Sequence, residues 1–375
     1  MTRSRKIVAI FVLLLIIILG IILIVIFKSK NEKEKSIYVS ISDAVKTATD
    51  VVGNQYQNLE IPDNIDIDGI EKAYIISANR SSKETDIRSQ LDKLSIAYTG
   101  QKPDTVYQSE DNVNTMIGEI TGKYYLEYSS SNTFHAYRLS DWRAEEEREP
   151  TEVFDLNKDD ITSVSYKVAN QDYLLSEAVA CAEDFINNNL LQFMPNDTEL
   201  KLSKAYVFKS GSNYFYCFSG VHYIEGIPLS TVGTGSTDEA HMNGVDFRIY
   251  IDEPNIIGEI RNFRYPYFTN KEEVKEIVSL ESALSYLEDY LAPYGEYKIS
   301  NISLEYCSKD NGDNGNSFTY HPTWCFTINK YQTNVYQLEP KRVLYLDAIN
   351  KEVFCWDDVQ FEFIFGDNIK NNMNQ

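Results

Sequence analysis

Basic residues are scarce in this chain: 35 Lys and Arg stand against 56 Asp and Glu, a net charge of −21 over 375 residues. The imbalance sharpens beyond residue 35. The first 35 residues hold 7 basic and 2 acidic side chains, which leaves 28 and 54 for the body, a net charge of −26. A surface that negative repels nucleic acid and anionic headgroups, so neither is a partner of the body. Histidine is equally sparse. His135, His222, His241 and His321 fall in no HxxxH or HExxH spacing, so the pattern offers no metal site and each reads as a solvated or core residue. No GxSxG motif is present, which removes the serine-elbow hydrolases. The five cysteines, Cys181, Cys217, Cys307, Cys325 and Cys355, include no CxxC pair. Outside a cell they could pair, with at least one left over because the count is odd; buried strand positions are the plain alternative.

Long apolar runs are limited to one. Ile7 to Phe27 has no charge and no proline over 21 residues, which as a helix is about 32 Å long, the thickness of a bilayer core. Arg3, Arg5 and Lys6 precede it, and Lys28, Lys30, Lys33 and Lys35 follow, so charge counting alone does not orient it. The six-residue basic tail at 1–6 favours a cytoplasmic N-terminus, and an acidic body translocates largely regardless of its charge. No small-x-small site follows the run and no cysteine lies near its end. The reading is an uncleaved, single-pass signal anchor at 7–27, a charged stalk at 28–37 and an extracytoplasmic body, with a cleaved signal peptide as the alternative.

The body is too long for one small core, its apolar content of 43% is that of a folded protein, and its 27 tyrosines tilt it toward sheet. Ser42 or Asp43 caps a helix to about Tyr56, Asn58–Gly69 reads as a loop, and Lys72–Ala78 as a strand. Ser82–Leu94 reads as a second helix, Thr99–Asn114 as looser chain, and Lys123–Tyr128 and Phe134–Leu139 as a hairpin through the serines at 129–131. The charged stretch 141–152 marks a boundary, which closes an N-terminal α+β domain at 38–150.

The second half repeats itself. Ala178, Glu183, Asp184, Phe185 and Ile186 are echoed by Ala283, Glu288, Asp289, Tyr290 and Leu291. Lys201-Leu202-Ser203 is echoed by Lys298-Ile299-Ser300, Tyr216-Cys217-Phe218 by Trp324-Cys325-Phe326, and Ile249-Tyr250-Ile251-Asp252 by Leu344-Tyr345-Leu346-Asp347. Each copy, 174–262 and 279–357, reads as one helix and about four antiparallel strands, an α+β layer. In the second copy Leu280, Ala283, Leu284, Leu287 and Leu291 form one helical stripe that faces a sheet. Its strands are Ile299–Tyr306, Trp324–Tyr331, Val343–Leu346 and Val353–Trp356. Residues 366–375 read as a flexible tail.

This order of helix, strand, a strand with Pro322-x-Trp324, then Leu344-Tyr345-Leu346-Asp347-Ala348 and a turn into Glu352-Val353, resembles PepSY-type units, and in particular the C-terminal unit of YycI/YycH-like regulators. Asn350-Lys351 stands where such units carry a turn glycine; Asn tolerates the left-handed conformation. The resemblance implies a non-catalytic accessory regulator of a membrane sensor kinase, acting partly through its membrane helix.

Candidate chemistry is thin. Loops starting at Asn64, Asp155 and Asp310 begin like calcium sites but place Ile75, Tyr166 and His321 at the twelfth position, where a bidentate carboxylate is required. Glu183-Asp184 and Glu288-Asp289 are adjacent on helices, point about 100° apart and read as solvated faces. Gly233-Thr234-Gly235-Ser236 reads as a loop tip within the insertion Thr231–Gly244, whose counterpart is Gln332–Arg342; such a loop suits a partner contact. No catalytic, cofactor or metal residue is assigned. Expected partners are the membrane and a protein, a sensor kinase or a peptidase. Inhibition or chaperoning of a secreted peptidase is the second function considered, and an envelope hydrolase with a site assembled from distant residues is the third.

Overall fold

The strands expected in the second half are present, and so are others that periodicity does not reveal. The computed structural model describes residues 37–355 apart from 54–55, 63–64, 66, 68, 80–85, 113, 140–149, 196, 231–245, 265–266, 293–296, 311–316 and 330–341. The apolar run 7–27, the stalk to residue 36, the insertion at 231–244, most of its counterpart and the tail at 366–375 lie outside these residues. Among the described residues no helix is long and apolar enough to cross a membrane.

The N-terminal stretch gives β1 (Tyr38–Ser40), α1 (Ile41–Thr47), β2 (Leu59–Glu60), β3 (Ala73–Asn79), α2 (Ile87–Thr99), β4 (Thr105–Gln108), β5 (Thr115–Ile120), β6 (Tyr124–Ser129) and β7 (Thr133–Arg138). Next come β8 (Glu152–Asp155), β9 (Ser165–Val168), β10 (Gln171–Leu174) and α3 (Leu175–Phe185). β11 (Thr198–Ser210), β12 (Asn213–Ile224), β13 (Ile227–Pro228), β14 (Asp246–Glu253) and β15 (Ile256–Arg264) follow. β16 (Tyr267–Val274) and β17 (Glu276–Val278) lead to α4 (Leu280–Leu291), β18 (Tyr297–Asp310), β19 (Ser317–Asn329), β20 (Arg342–Asp347) and β21 (Val353–Cys355).

Two large sheets hold most of these strands, while β1 with β17 and β9 with β10 form two separate two-stranded sheets. The first has ten, in the order β4-β5-β6-β7-β15-β14-β12-β11-β8, with β13 beside β12. The second has seven: β16-β3-β19-β18-β2, with β20 and β21 added along β19. Each sheet buries one face under helices. Leu91 and Leu94 of α2 and Leu175, Ala178 and Ala182 of α3 pack on the first sheet with Tyr216, Phe218, Ile249 and Ile260. The five-residue stripe of α4 packs on the second with Ile302, Leu304, Trp324, Leu344 and Leu346. Ile224, Ile227 and Leu229 run from the first sheet into this second core and join the two.

The repeated blocks occupy equivalent ladder positions. Tyr216-Cys217-Phe218 lies opposite Ile251-Tyr250-Ile249, and Trp324-Cys325-Phe326 lies opposite Leu346-Tyr345-Leu344. Even the irregularity recurs. The β11 ladder skips a residue at Ser203 and the β18 ladder skips one at Ser300. Each skipped serine donates its hydroxyl to a carbonyl across the ladder, Ser203 to Ser219 at 3.2 Å and Ser300 to Thr327 at 3.3 Å. An extra residue leaves backbone groups unpaired, and a serine at the bulge compensates.

One more contact is shared. The Tyr216 hydroxyl donates to the Tyr173 carbonyl at 2.6 Å, and Trp324 Nε1 donates to the Val278 carbonyl at 2.8 Å. Both acceptors lie two residues before a helix, α3 or α4, so in each copy a buried aromatic on the second strand anchors the helix entry. Only the second copy adds a side-chain cap: Ser279 accepts from the Ser282 N–H at 3.3 Å, while Leu174 offers no such bond.

Residues 38–150 do not stand apart as a domain. β2 pairs with β18, and β3 with both β16 and β19, so residues 59–79 extend the second copy's sheet, while β1 pairs with β17 just before α4. β4–β7 extend the first copy's sheet through β7 and β15. β7 covers the outer edge of β15 and β2 that of β18, while β3 pairs the part of β19 that β20 does not reach. Local patterning cannot report a partner more than 100 residues away. Other local corrections are smaller. α1 starts two or three residues earlier than a cap at Ser42 or Asp43 implies, capped by Ser40, and gives way after Thr47 to a tighter turn ending at Val51. α2 is capped by Asp86 and continues to Thr99, where Gly100 takes the left-handed conformation (φ 80°). The looser segment contains β4, and in the turn after β20 it is Lys351, not Asn350, that adopts positive φ.

Trp324→Phe and Tyr216→Phe keep an aromatic ring but abolish the shared anchor. Each is expected to cost about 1 kcal/mol, read as a lower urea midpoint with unchanged slope. Gly220→Ala is expected to cost more, because an added Cβ would sit 2.1 Å from the Phe247 ring.

Candidate functional site

Faces left uncovered by helices carry the polar chemistry. On the first sheet, alternation sends Tyr107, Glu119, Tyr125, Tyr137, His135, Glu259, Arg261 and Tyr250 outward, and they form a continuous band. Tyr107 donates to Glu119 at 2.8 Å, Tyr125 stacks on Tyr137 at 5.0 Å, and His135 lies 5.5 Å from Tyr137. His135 Nε2 and Arg261 Nε both meet Glu259 Oε1, at 2.8 and 2.7 Å, and the Arg261 guanidinium lies 5.1 Å from the Tyr250 ring centre. Glu259 is buried, and its partners His135 and Arg261 remain about a third exposed. Burial, with Glu127 and Tyr137 nearby, pushes the Tyr125 hydroxyl up to about 12.

The uncovered face of the second sheet is curled. Cys307 lies opposite His321 in the ladder and Cys325 opposite Ser303, four positions apart. Four residues of flat strand span about 13 Å, yet the two sulfurs approach to 3.8 Å. The β18–β19 hairpin therefore bends toward this face, with Glu305 and its partner Thr323 at the elbow. The bend falls where β19 passes from pairing with β3 to pairing with β20.

Five groups converge on Glu305. Ser303 donates to its carboxyl at 2.7 Å, Ser230 and Cys325 hydrogen-bond to it, and Cys307 and Tyr345 pack beside Cys325. Burial raises the Glu305 carboxyl above its ordinary value and outweighs these bonds. In the first copy the same ladder positions hold Tyr206, Phe208 and Phe215, which pack with Cys217 and Tyr250 into a small apolar cluster. The Cys–Tyr pair is common to both copies. The apolar neighbours of the first have become Ser303, Glu305 and Thr323 in the second.

The repeated aspartates diverge too. Asp252 takes a charge from outside its copy, with Arg138 Nη2 at 3.2 Å. Asp347 uses His321, at 2.9 Å, and accepts from the backbone N–H of Ile349 and Asn350. Burial alone would raise the Asp347 carboxyl; the bonds from His321 and the turn hold it below its ordinary value.

A third feature is an open groove of about 470 Å³ beside α3, lined by Asp172, Tyr173, Glu177, Cys181, Asp184 and Asn255 among others. Among the described residues, no three His, Cys, Asp or Glu side chains are grouped to hold a metal ion.

Of the four histidines, His135 and His321 are neither solvated nor apolar core residues, since each pairs with a buried carboxylate. His222 is buried between Phe247 and Phe263, and His241 lies outside the described residues. Glu288 is not a solvated face either: it accepts from the backbone N–H of Gln57 and Asn58 and ties α4 to the chain before β2. The Asp155–Asp160 turn uses its carboxylates on its own backbone N–H groups. Sequence reasoning missed the Glu305 cluster. The alternation in Ser303-Leu304-Glu305-Tyr306-Cys307 was the available signal, but the curl that adds Cys325 was not.

No family model matches this chain, and no curated protein does. Among solved structures it is similar to an uncharacterized protein from Eubacterium rectale, with 16% identity over 84% of this chain and 98% of that one, at a TM-score of 0.47. It is also similar to YycH from Bacillus subtilis, with 11% identity over 69% of this chain and 52% of that one, at a TM-score of 0.33. At these scores neither likeness carries an argument about fold or activity.

The raised Glu305 carboxyl implies a pH-dependent stability. The fold prefers the protonated form, so the contribution is complete below the ordinary value of 4.5 and is lost as pH rises through the higher folded value. Glu305→Gln removes that loss. Urea midpoints of variant and parent should agree near pH 4 and separate in the variant's favour toward pH 8; parallel curves would mean that the carboxyl ionises freely in the fold.

Proposed function

We propose that this chain is a membrane-anchored, extracytoplasmic binding protein that regulates a sensor kinase or similar membrane signalling complex and catalyses no reaction. Residues 7–27 form the anchor, 1–6 stay in the cytoplasm, and the two sheets stand outside. The observation that carries this reading is the outer-face band of the ten-stranded sheet. Tyrosine and arginine are the side chains enriched in protein interfaces, where they combine large contact area with directional bonds. Here Tyr125, Tyr137 and Arg261 are held by stacking and ion pairing before any partner arrives, which lowers the ordering cost of association. A body of net charge −26 favours a partner surface that is basic.

Inhibition or chaperoning of a secreted peptidase is the second reading. The edge strand β4, with Tyr107 42% exposed, ends the sheet among the described residues and could pair with an extended chain.

Recovery of the full-length chain from membranes in mild detergent distinguishes the two. The first reading expects a membrane protein to be retained, and Tyr125→Ala with Tyr137→Ala to reduce its recovery at least tenfold while the urea midpoint moves little. Retention unaffected by the double substitution would remove the band from the interface. Inhibition of secreted proteolysis by the chain, with no membrane protein retained, would replace the first reading by the second.

A further inference from the structure

We propose that Cys307 and Cys325 are a disulfide-forming pair that, when oxidised, locks the curl of the β18–β19 hairpin. The two sulfurs are already in contact at 3.8 Å and must close to about 2.05 Å. Both side chains are buried with Tyr345 against them.

The duplication supplies an internal comparison. Cys325 corresponds to Cys217, and both lie opposite a tyrosine in the ladder. Cys307 corresponds to Ser210, so the first copy has one thiol at this place and the second has two. The second thiol is thus specific to the copy whose outer face became polar and curled. A covalent bond across positions four apart in the ladder would hold that curl, with Glu305 kept at the elbow.

The oxidant required is a small or protein disulfide. The thiolate of one cysteine attacks it, forms a mixed disulfide and expels one thiolate. The second cysteine's thiolate then attacks the protein sulfur, closes the Cys307–Cys325 bond and expels the other. Two protein thiols and one disulfide become one protein disulfide and two thiols, with both protons passing to the expelled groups. Burial, then the Cys307 neighbour, holds the Cys325 thiol well above its ordinary value, so exchange in the folded state is slow and the bond forms as the chain folds. Its persistence in the cell rests on the extracytoplasmic reading, because a reducing compartment would keep both thiols.

The test uses the purified full-length chain, in which compartment plays no part. The chain is unfolded and refolded in glutathione buffers of rising oxidised fraction, then alkylated and digested without reductant. The expected product is a peptide joining Cys307 to Cys325 and lacking two hydrogens, with Cys217 alkylated. Its thermal midpoint should exceed that of the reduced chain, and Cys307→Ala with Cys325→Ala should erase that difference. Separate alkylation of Cys307 and Cys325 in the most oxidising buffer, or joining of either one to Cys181 or Cys355, would overturn the pair. A joined peptide in a chain that recovers no membrane partner would leave the pair standing and sink only the functional reading.

Discussion

The bond from a buried aromatic to the carbonyl just before a helix sets the frame of both copies. Helix and sheet are joined by a short connection, and their relative position is otherwise set by apolar contact, which has no direction. A tyrosine hydroxyl in one copy and an indole N–H in the other supply the direction. Each sits on a strand with neighbours on both sides, so the helix is referenced to the interior of the sheet and not to its edge. The donor group changed from phenol to indole while the acceptor position stayed, which marks the geometry rather than the residue type as what the fold requires.

From that frame the two copies depart in opposite directions. The first is widened by β4–β7 into a broad sheet whose outer face is tyrosine, arginine and a buried glutamate. The second is extended by β2, β3 and β16, bends, and gathers serine, glutamate and two thiols inside the bend. The covered faces remained alike because close packing against a helix tolerates little change in volume. The uncovered faces were free to differ, and it is there that the side chains with recognition or redox chemistry are found. Polar pairs serve a similar end at the seams: Arg138 with Asp252, and His135 with Glu259, tie the N-terminal hairpins to the first copy.

Much of this was legible in advance. The four echoed blocks gave the repeat, because a duplicated core must keep its alternation and its large residues. The stripe on α4 gave its buried face for the same reason. The extent of α2 was misjudged at both ends, since the cap at Asp86 and the stop at Gly100 compete with several other polar residues nearby. The roles of His135, His321 and Glu288 were not legible, because the partner of each lies 26 to 231 residues away.

Sequence by itself determined the acidity, the single long apolar run and the duplicated α+β plan, all of which rest on local alternation and composition. Tertiary structure alone decided how residues 38–150 divide between two sheets, which carboxylates are buried and by what they are paired, and that two cysteines four ladder positions apart come into contact. Those outcomes depend on strand edges that seek any complementary edge and on the bending of a sheet, and neither leaves a periodic trace along the chain.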